Sequence, residues 1–85
     1  MPDITVYTTP LCPYCARAKG LLTRKKARFT EIDVSNDQSV RDAMRVRTGG
    51  RNSVPQIFIG NTHVGGCDDI HALESTGKLD AMLAA

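Results

Sequence analysis

Residues 4–24, ITVYTTPLCPYCARAKGLLTR, change their period part-way along, and that change decides the fold. Ile4, Val6 and Thr8 alternate with Thr5 and Tyr7, the period of a strand with two unlike faces. From Pro13 onward Cys15, Ala18, Leu21 and Leu22 recur instead at the three-and-four interval of a helix packed by one face. Between the two patterns stands Cys12-Pro13-Tyr14-Cys15. Proline is favoured at the first helical position, where its missing N–H would have no partner, so Pro13 sets Cys12 at the helix cap. The free amides of Tyr14 and Cys15 and the positive end of the helix dipole favour a thiolate there, and the thiolate is the form that attacks disulfides. Cys15, within the first turn, can reach back to the same sulfur.

Working outward, the basic run Arg24-Lys25-Lys26 suits a helix C-terminus. A second alternating stretch, Phe29 to Val34, follows it. Strand, helix and strand within about 30 residues imply a crossover between parallel strands. Ser35 with Gln38 forms a capping-box pattern for a second helix, with Val40, Ala43 and Met44 expected on its core side and Gly49-Gly50 ending it. Gln56 to Ile59 and Thr62 to Val64 flank Gly60-Asn61, a hairpin connection between antiparallel strands. Asp68 is placed as the cap of a third helix with Ile70 and Leu73 inward, closed by Gly77, and Leu79, Met82 and Leu83 suggest a short last helix. This order describes a small α/β domain with a mixed four-stranded sheet between helical layers.

The chain has 85 residues, read as one domain over 1–85 that can bury a core without staples. Its three cysteines, an odd number, fit a reducing compartment better than a secreted disulfide framework. Met1-Pro2-Asp3 shows no basic segment leading into an apolar core, and no apolar run approaches membrane-spanning length, so a cytoplasmic location is expected. Ten of the eleven Lys and Arg residues lie in the first 51 positions, but with only Tyr7, Tyr14, Phe29 and Phe58 as aromatics they read as solvated helix faces rather than a nucleic-acid surface. Arg17 and Lys19 could draw anionic thiols toward Cys12. A zinc site would need four ligands. Cys67, His63 and His71 could complete one on paper, yet they lack a second paired spacing, and the two histidines read as solvated surface residues. A paired-cysteine motif at a strand-to-helix junction reads as redox-active.

Cys12-Pro13-Tyr14-Cys15, then Ser53-Val54-Pro55-Gln56-Ile57-Phe58, then Gly65-Gly66-Cys67-Asp68-Asp69 resemble the three signature segments of the dithiol glutaredoxins, most like the short bacterial members of that family. The resemblance covers nearly the whole chain. It implies a thioredoxin-like fold and glutathione-dependent thiol-disulfide exchange, with Cys12 and Cys15 catalytic. It also implies a glutathione groove formed by Tyr14, Ser53, Val54, Pro55, Gly66, Cys67 and Asp68. Glutathione would be a co-substrate rather than a tightly bound cofactor, and the partners would be disulfide-containing or glutathionylated proteins met by a monomer. Pro55 would follow a cis bond, leaving the Val54 backbone to bond the substrate as an added strand does. The Cys67 and Asp68 amides would receive the γ-glutamyl carboxylate at a helix N-terminus, with the Asp68 side chain facing the adjacent ammonium.

Two features depart from this pattern or widen it. The family commonly has a lysine three residues before the first cysteine, where this chain has Thr9; Arg51 or a basic residue of the second helix would supply that charge. Cys67 is either a small apolar filler or a thiol that forms disulfides on oxidation. Thioredoxins resemble the chain in architecture but usually carry a tryptophan before the cysteines, and this chain has none. The alternative function is a [2Fe–2S] scaffold ligated by Cys12 and glutathione, which Pro13 disfavours by comparison with family members that have a small residue there.

Overall fold

The computed structural model describes residues 2–85; Met1 lies outside the described residues. The elements are β1 (Ile4–Thr8), α1 (Pro13–Arg24), β2 (Thr30–Asp33), α2 (Gln38–Arg47), β3 (Gln56–Ile59), β4 (Thr62–Gly65), α3 (Cys67–Ser75) and α4 (Lys78–Ala84). The sheet order is β2-β1-β3-β4. β1 pairs in parallel with β2 and antiparallel with β3, and β3 pairs antiparallel with β4. The mixed four-stranded sheet and its flanking helices agree with the sequence reading.

Alternation along the strands sends side chains to two cores. Ile4, Val6, Ile57 and Ile59 meet Ala18, Leu21 and Leu22 of α1, Ile70 of α3, and Leu79 and Leu83 of α4. Tyr7 and Phe58 point the other way and pack with Val34 and with Met44 of α2. Fully burying one such aliphatic side chain is worth about 1.5–3 kcal/mol, so the first core dominates the fold's stability. α1 therefore lies against the sheet by the face that its sequence period marked. Lys25 at its C-cap reaches Glu74 and Asp80 at 2.8 Å each, tying α1 to α3 and α4.

Helix ends follow from local chemistry. After α1 the N–H of Ala27 bonds the carbonyl of Leu22 and that of Lys26 bonds Thr23, each at 3.0 Å, a Schellman closure with Lys26 at φ +58°. α2 closes in the same way through Gly49 and Gly50, whose N–H groups bond Val46 and Arg45. Here Gly49 takes φ +73° without steric cost.

Several expected details are different. β2 is shorter than Phe29–Val34, since only four residues pair with β1. The cap of α2 is Asp37 and not Ser35: Asp37 Oδ1 accepts the Ser39 N–H at 2.9 Å. Ser35 is engaged elsewhere, its N–H and Oγ both bonded to Asp33 Oδ1. The α2 core stripe is Val40 and Met44, one turn apart, and Ala43 is exposed. Asp68 does not cap α3. Gly66 holds that position, and its N–H is taken by Asp69 Oδ2 at 2.8 Å. β4 carries one residue more than its partner, since Ile57 pairs with Gly65 while Phe58 pairs with His63.

Candidate active site

The cysteine pair sits where β1 ends and α1 begins. Cys12 has extended backbone angles (φ −104°, ψ 106°), Pro13 follows as the first helical residue, and Cys12 Sγ accepts the Cys15 N–H at 3.1 Å. A sulfur in that position receives an otherwise free amide at the positive end of the helix. Cys12 is partly exposed, whereas Cys15 is only 1% exposed and belongs to the buried set. Burial, aided by the hydrogen bond with Cys12, pushes the Cys15 thiol up to about 11. The two thiols therefore differ: one is at the surface against helix amides, and the other is buried and holds its proton. Beside them Leu11, at φ +59°, is fully exposed.

A groove of about 190 Å³ is lined by Tyr14, Arg51, Ser53, Val54, Pro55, Gly66, Cys67, Asp68 and Asp69. All seven residues expected there from sequence are in this lining. The Val54–Pro55 bond is cis, as the resemblance implied. Gly65, at φ +112°, has no room for a Cβ, which would run into the Asp69 carboxylate, and a Cβ on Gly66 would lie 3.4 Å from the Pro55 carbonyl oxygen. Gly65 thus leaves room for the Asp69 carboxylate at the start of α3, and Gly66 lies close to the Pro55 carbonyl.

Known proteins match this arrangement. The glutaredoxin family profile matches residues 4–64. The glutaredoxin of Pseudomonas aeruginosa is 56% identical over 85 residues, covering 100% of both chains. Glutaredoxin 3 of Escherichia coli K12 is 45% identical over 83 residues, covering 98% of this chain and 99% of its own. The crystal structure of a buckwheat glutaredoxin-glutathione complex superposes with a TM-score of 0.87 at 33% identity, covering 95% of this chain and 76% of that one.

The chain belongs to the glutaredoxin family.

As a glutaredoxin it is a glutathione-dependent thiol-disulfide oxidoreductase on a thioredoxin-like fold. Two groove residues stand outside the expected seven. Arg51 was one of two choices for the charge missing at Thr9, and the alternatives on the second helix are engaged. Arg47 lies 3.8 Å over the Phe58 ring and donates to Tyr7 Oη, Arg41 bonds Asn52, and Arg45 faces Asp42. Thr48 fixes Arg51 by accepting its N–H at 3.1 Å and donating to its carbonyl at 3.0 Å. Asp69 was missed, although its signal was present: an acidic residue three places after a glycine N-cap takes the N3 position of a capping box.

The histidines qualify the sequence reading, because both are half-buried and engaged with neighbours rather than freely solvated. His71 Nδ1 is 2.9 Å from the Cys67 carbonyl one turn back and 3.5 Å from Cys67 Sγ. His63 stacks on Phe58 at 4.8 Å and bonds Gln56. Burial, with Arg51 next, lowers the His63 pKa. Cys67 is 7% exposed, and burial raises its thiol.

Proposed function

We propose that Cys12 is the nucleophile and Cys15 the resolving thiol of this glutaredoxin, and that the groove beside them receives glutathione. The observation that carries this reading is the inequality of the two thiols, one capping α1 and the other buried and protonated, with Tyr14 between them in the groove lining. On a glutathionylated protein, Cys12 thiolate attacks the glutathionyl sulfur. The old S–S bond breaks, the protein thiolate leaves and takes up a proton, and Cys12 becomes glutathionylated. A second glutathione thiolate attacks that glutathionyl sulfur, giving glutathione disulfide and restoring Cys12 thiolate. On a protein disulfide, Cys12 thiolate attacks one sulfur, the protein S–S bond breaks, the other protein sulfur leaves as a thiolate and takes up a proton, and Cys12 is left in a mixed disulfide with the substrate. Cys15 then attacks Cys12, its proton leaving with the released protein thiol, and two glutathiones later reduce the Cys12–Cys15 bond.

Charge supports the orientation. The Cys67 and Asp68 amides open α3 and suit the γ-glutamyl carboxylate, with the Asp68 side chain facing the ammonium. Arg51 supplies the cation for the glycyl carboxylate in place of a lysine at Thr9. The Val54 backbone, next to Pro55, bonds the central cysteinyl residue. The buckwheat relative was solved with glutathione, and its fold overlies this one.

The protein acts as one domain, 1–85, monomeric and cytoplasmic, on glutathionylated or disulfide-bonded proteins, with glutathione as co-substrate and no tightly bound cofactor. The odd cysteine count supports a reducing compartment, and no helix among the described residues is long and apolar enough to cross a membrane. The enzyme reading is preferred to a [2Fe–2S] scaffold because the paired Cys12 and Cys15, one capping α1 and one buried, suit dithiol exchange.

The test uses a glutathionylated peptide, glutathione, glutathione reductase and NADPH, in a Cys67→Ser background that removes a substitute thiol. Cys12→Ser abolishes turnover, while Cys15→Ser keeps it on the glutathionylated peptide and loses it on a protein disulfide. Equal loss of both activities in Cys15→Ser would mean an obligate dithiol reductant, and glutathione would not be the direct partner.

A further inference from the structure

A polar chain with a buried centre runs from half-buried His63 on the edge strand β4, through Gln56, to exposed Ser53 at the groove wall. Gln56 is wholly buried, on the sheet face that α2 covers. Its Nε2 donates to the Ser53 carbonyl at 3.0 Å and to Ser53 Oγ at 3.2 Å. Those bonds commit the amide nitrogen and leave Oε1 as the acceptor, 2.7 Å from His63 Nε2. The oxygen carries no hydrogen, so the proton of this bond sits on His63 Nε2. His63 in turn lies nearly parallel to Phe58, at 23° between the ring planes, and Arg47 covers that same Phe58 from α2. Each link orients the next.

A side-chain amide can be turned by half a revolution with little change in shape. Turned that way, Gln56 would set its oxygen against the Ser53 carbonyl, two acceptors in contact, and its NH₂ against the His63 donor. The Ser53 carbonyl favours the orientation in which Gln56 holds Ser53, and the Nε2–H tautomer of His63 reinforces it from the other side of the amide. Ser53 lines the groove, between Arg51 and Val54.

We infer that His63 is a positioning residue for glutathione: acting through Gln56, it fixes Ser53 and the Arg51–Val54 loop as one wall of the groove. This rests on the reading of that groove as the glutathione site. His63 touches neither thiol, so its loss weakens binding of the glutathionyl group without slowing the exchange once bound.

The experiment compares His63→Phe, which keeps a stacking ring and removes the donor, with His63→Gln, which restores an N–H at similar reach. His63→Leu serves as a second deletion should the larger ring not fold. For the glutathionylated peptide, each deletion raises KM about fivefold with kcat within about twofold, as expected when uniform binding is lost. His63→Gln returns KM toward the starting value. In a Gln56→Met background the deletion adds nothing further, because the path is already cut. An unchanged KM in a folded deletion, a failure of His63→Gln to rescue, or full additivity with Gln56→Met overturns the inference. Asp68→Ala separates this from failure of the underlying reading. If Asp68→Ala raises KM and the His63 deletions do not, the groove stands and His63 has no part in it. If neither Asp68→Ala nor Arg51→Ala raises KM, the groove is not the glutathione site, and the inference falls with it.

Discussion

On the sheet face covered by α1, α3 and α4, eleven buried residues form an apolar core with no ionisable side chain in it. On the face covered by α2, only Tyr7, Val34, Met44 and Phe58 form the buried apolar set, and beside them lie the Gln56 amide, the His63 ring and the Arg47 guanidinium. The first face gains its stability from area removed from water, which depends little on pH or on direction. The second gains its order from hydrogen bonds and stacking, which are directional and titrate. In this glutaredoxin the groove wall before β3 is backed by the second face, while α1, which carries the thiols, is seated on the first. Stability and site positioning thus draw on different surfaces of one sheet.

The largest expected effect tests the division directly. Leu22→Ala removes a wholly buried side chain from the first core and costs about 2–5 kcal/mol by urea unfolding. Val40→Ala, on the partly buried stripe of α2, costs about 1 kcal/mol. Turnover per folded molecule stays within about twofold for Leu22→Ala below its melting transition, since Leu22 does not line the groove. A larger cost for Val40 than for Leu22 would break the comparison.

A pH titration of stability sharpens it. Burial lowers the folded His63 pKa, with Arg51 and Arg47 acting in the same direction and Asp69 opposing them. The unfolded chain therefore binds this proton more readily than the native one, and stability rises with pH across the interval between the two pKa values. On acidification Tm begins to fall below the unfolded histidine value of about 6.5. Replacing His63 by Gln removes that part of the decline. The carboxylates of Asp33, Asp37 and Glu31, whose pKa values are lowered by Ser35, by Ser39, and by Lys19 with Thr8 respectively, stabilise the fold above about pH 4 and lose that contribution only as pH falls further. An unchanged profile between pH 7 and 5 in His63→Gln would remove the titrating character assigned to the second face.

The smallest effect is local. Asp37→Ala removes the acceptor of the Ser39 N–H at the start of α2. Amide exchange at Ser39 and Val40 speeds up while exchange in α1 does not change, as measured by hydrogen exchange with NMR. Equal acceleration in both helices would mean that the two faces unfold together rather than separately.

Much of the molecule was legible because its signals are local. The change of period at Pro13, the closing glycines at Gly49-Gly50, the Gly60-Asn61 hairpin and the core stripe of α1 each depend on residues a few places apart, where backbone sterics and face periodicity act directly. The cysteine spacing set both thiols on the first turn of α1, and the three signature segments named the seven groove residues that the structure gathers. Other features required the third dimension. Thr8 and Lys19 both reach Glu31 from other elements, at 2.8 and 2.9 Å. Arg51 rather than a basic residue of α2 lines the groove because Arg47 is drawn to Tyr7, 40 positions away, and to Phe58. His63 is aligned, and its pKa lowered, because packing brings Phe58 and Gln56 against it. Local sequence sets backbone conformation over one or two turns, whereas the partner of a polar side chain, its burial and hence its charge depend on groups that only the folded sheet brings within 3 Å.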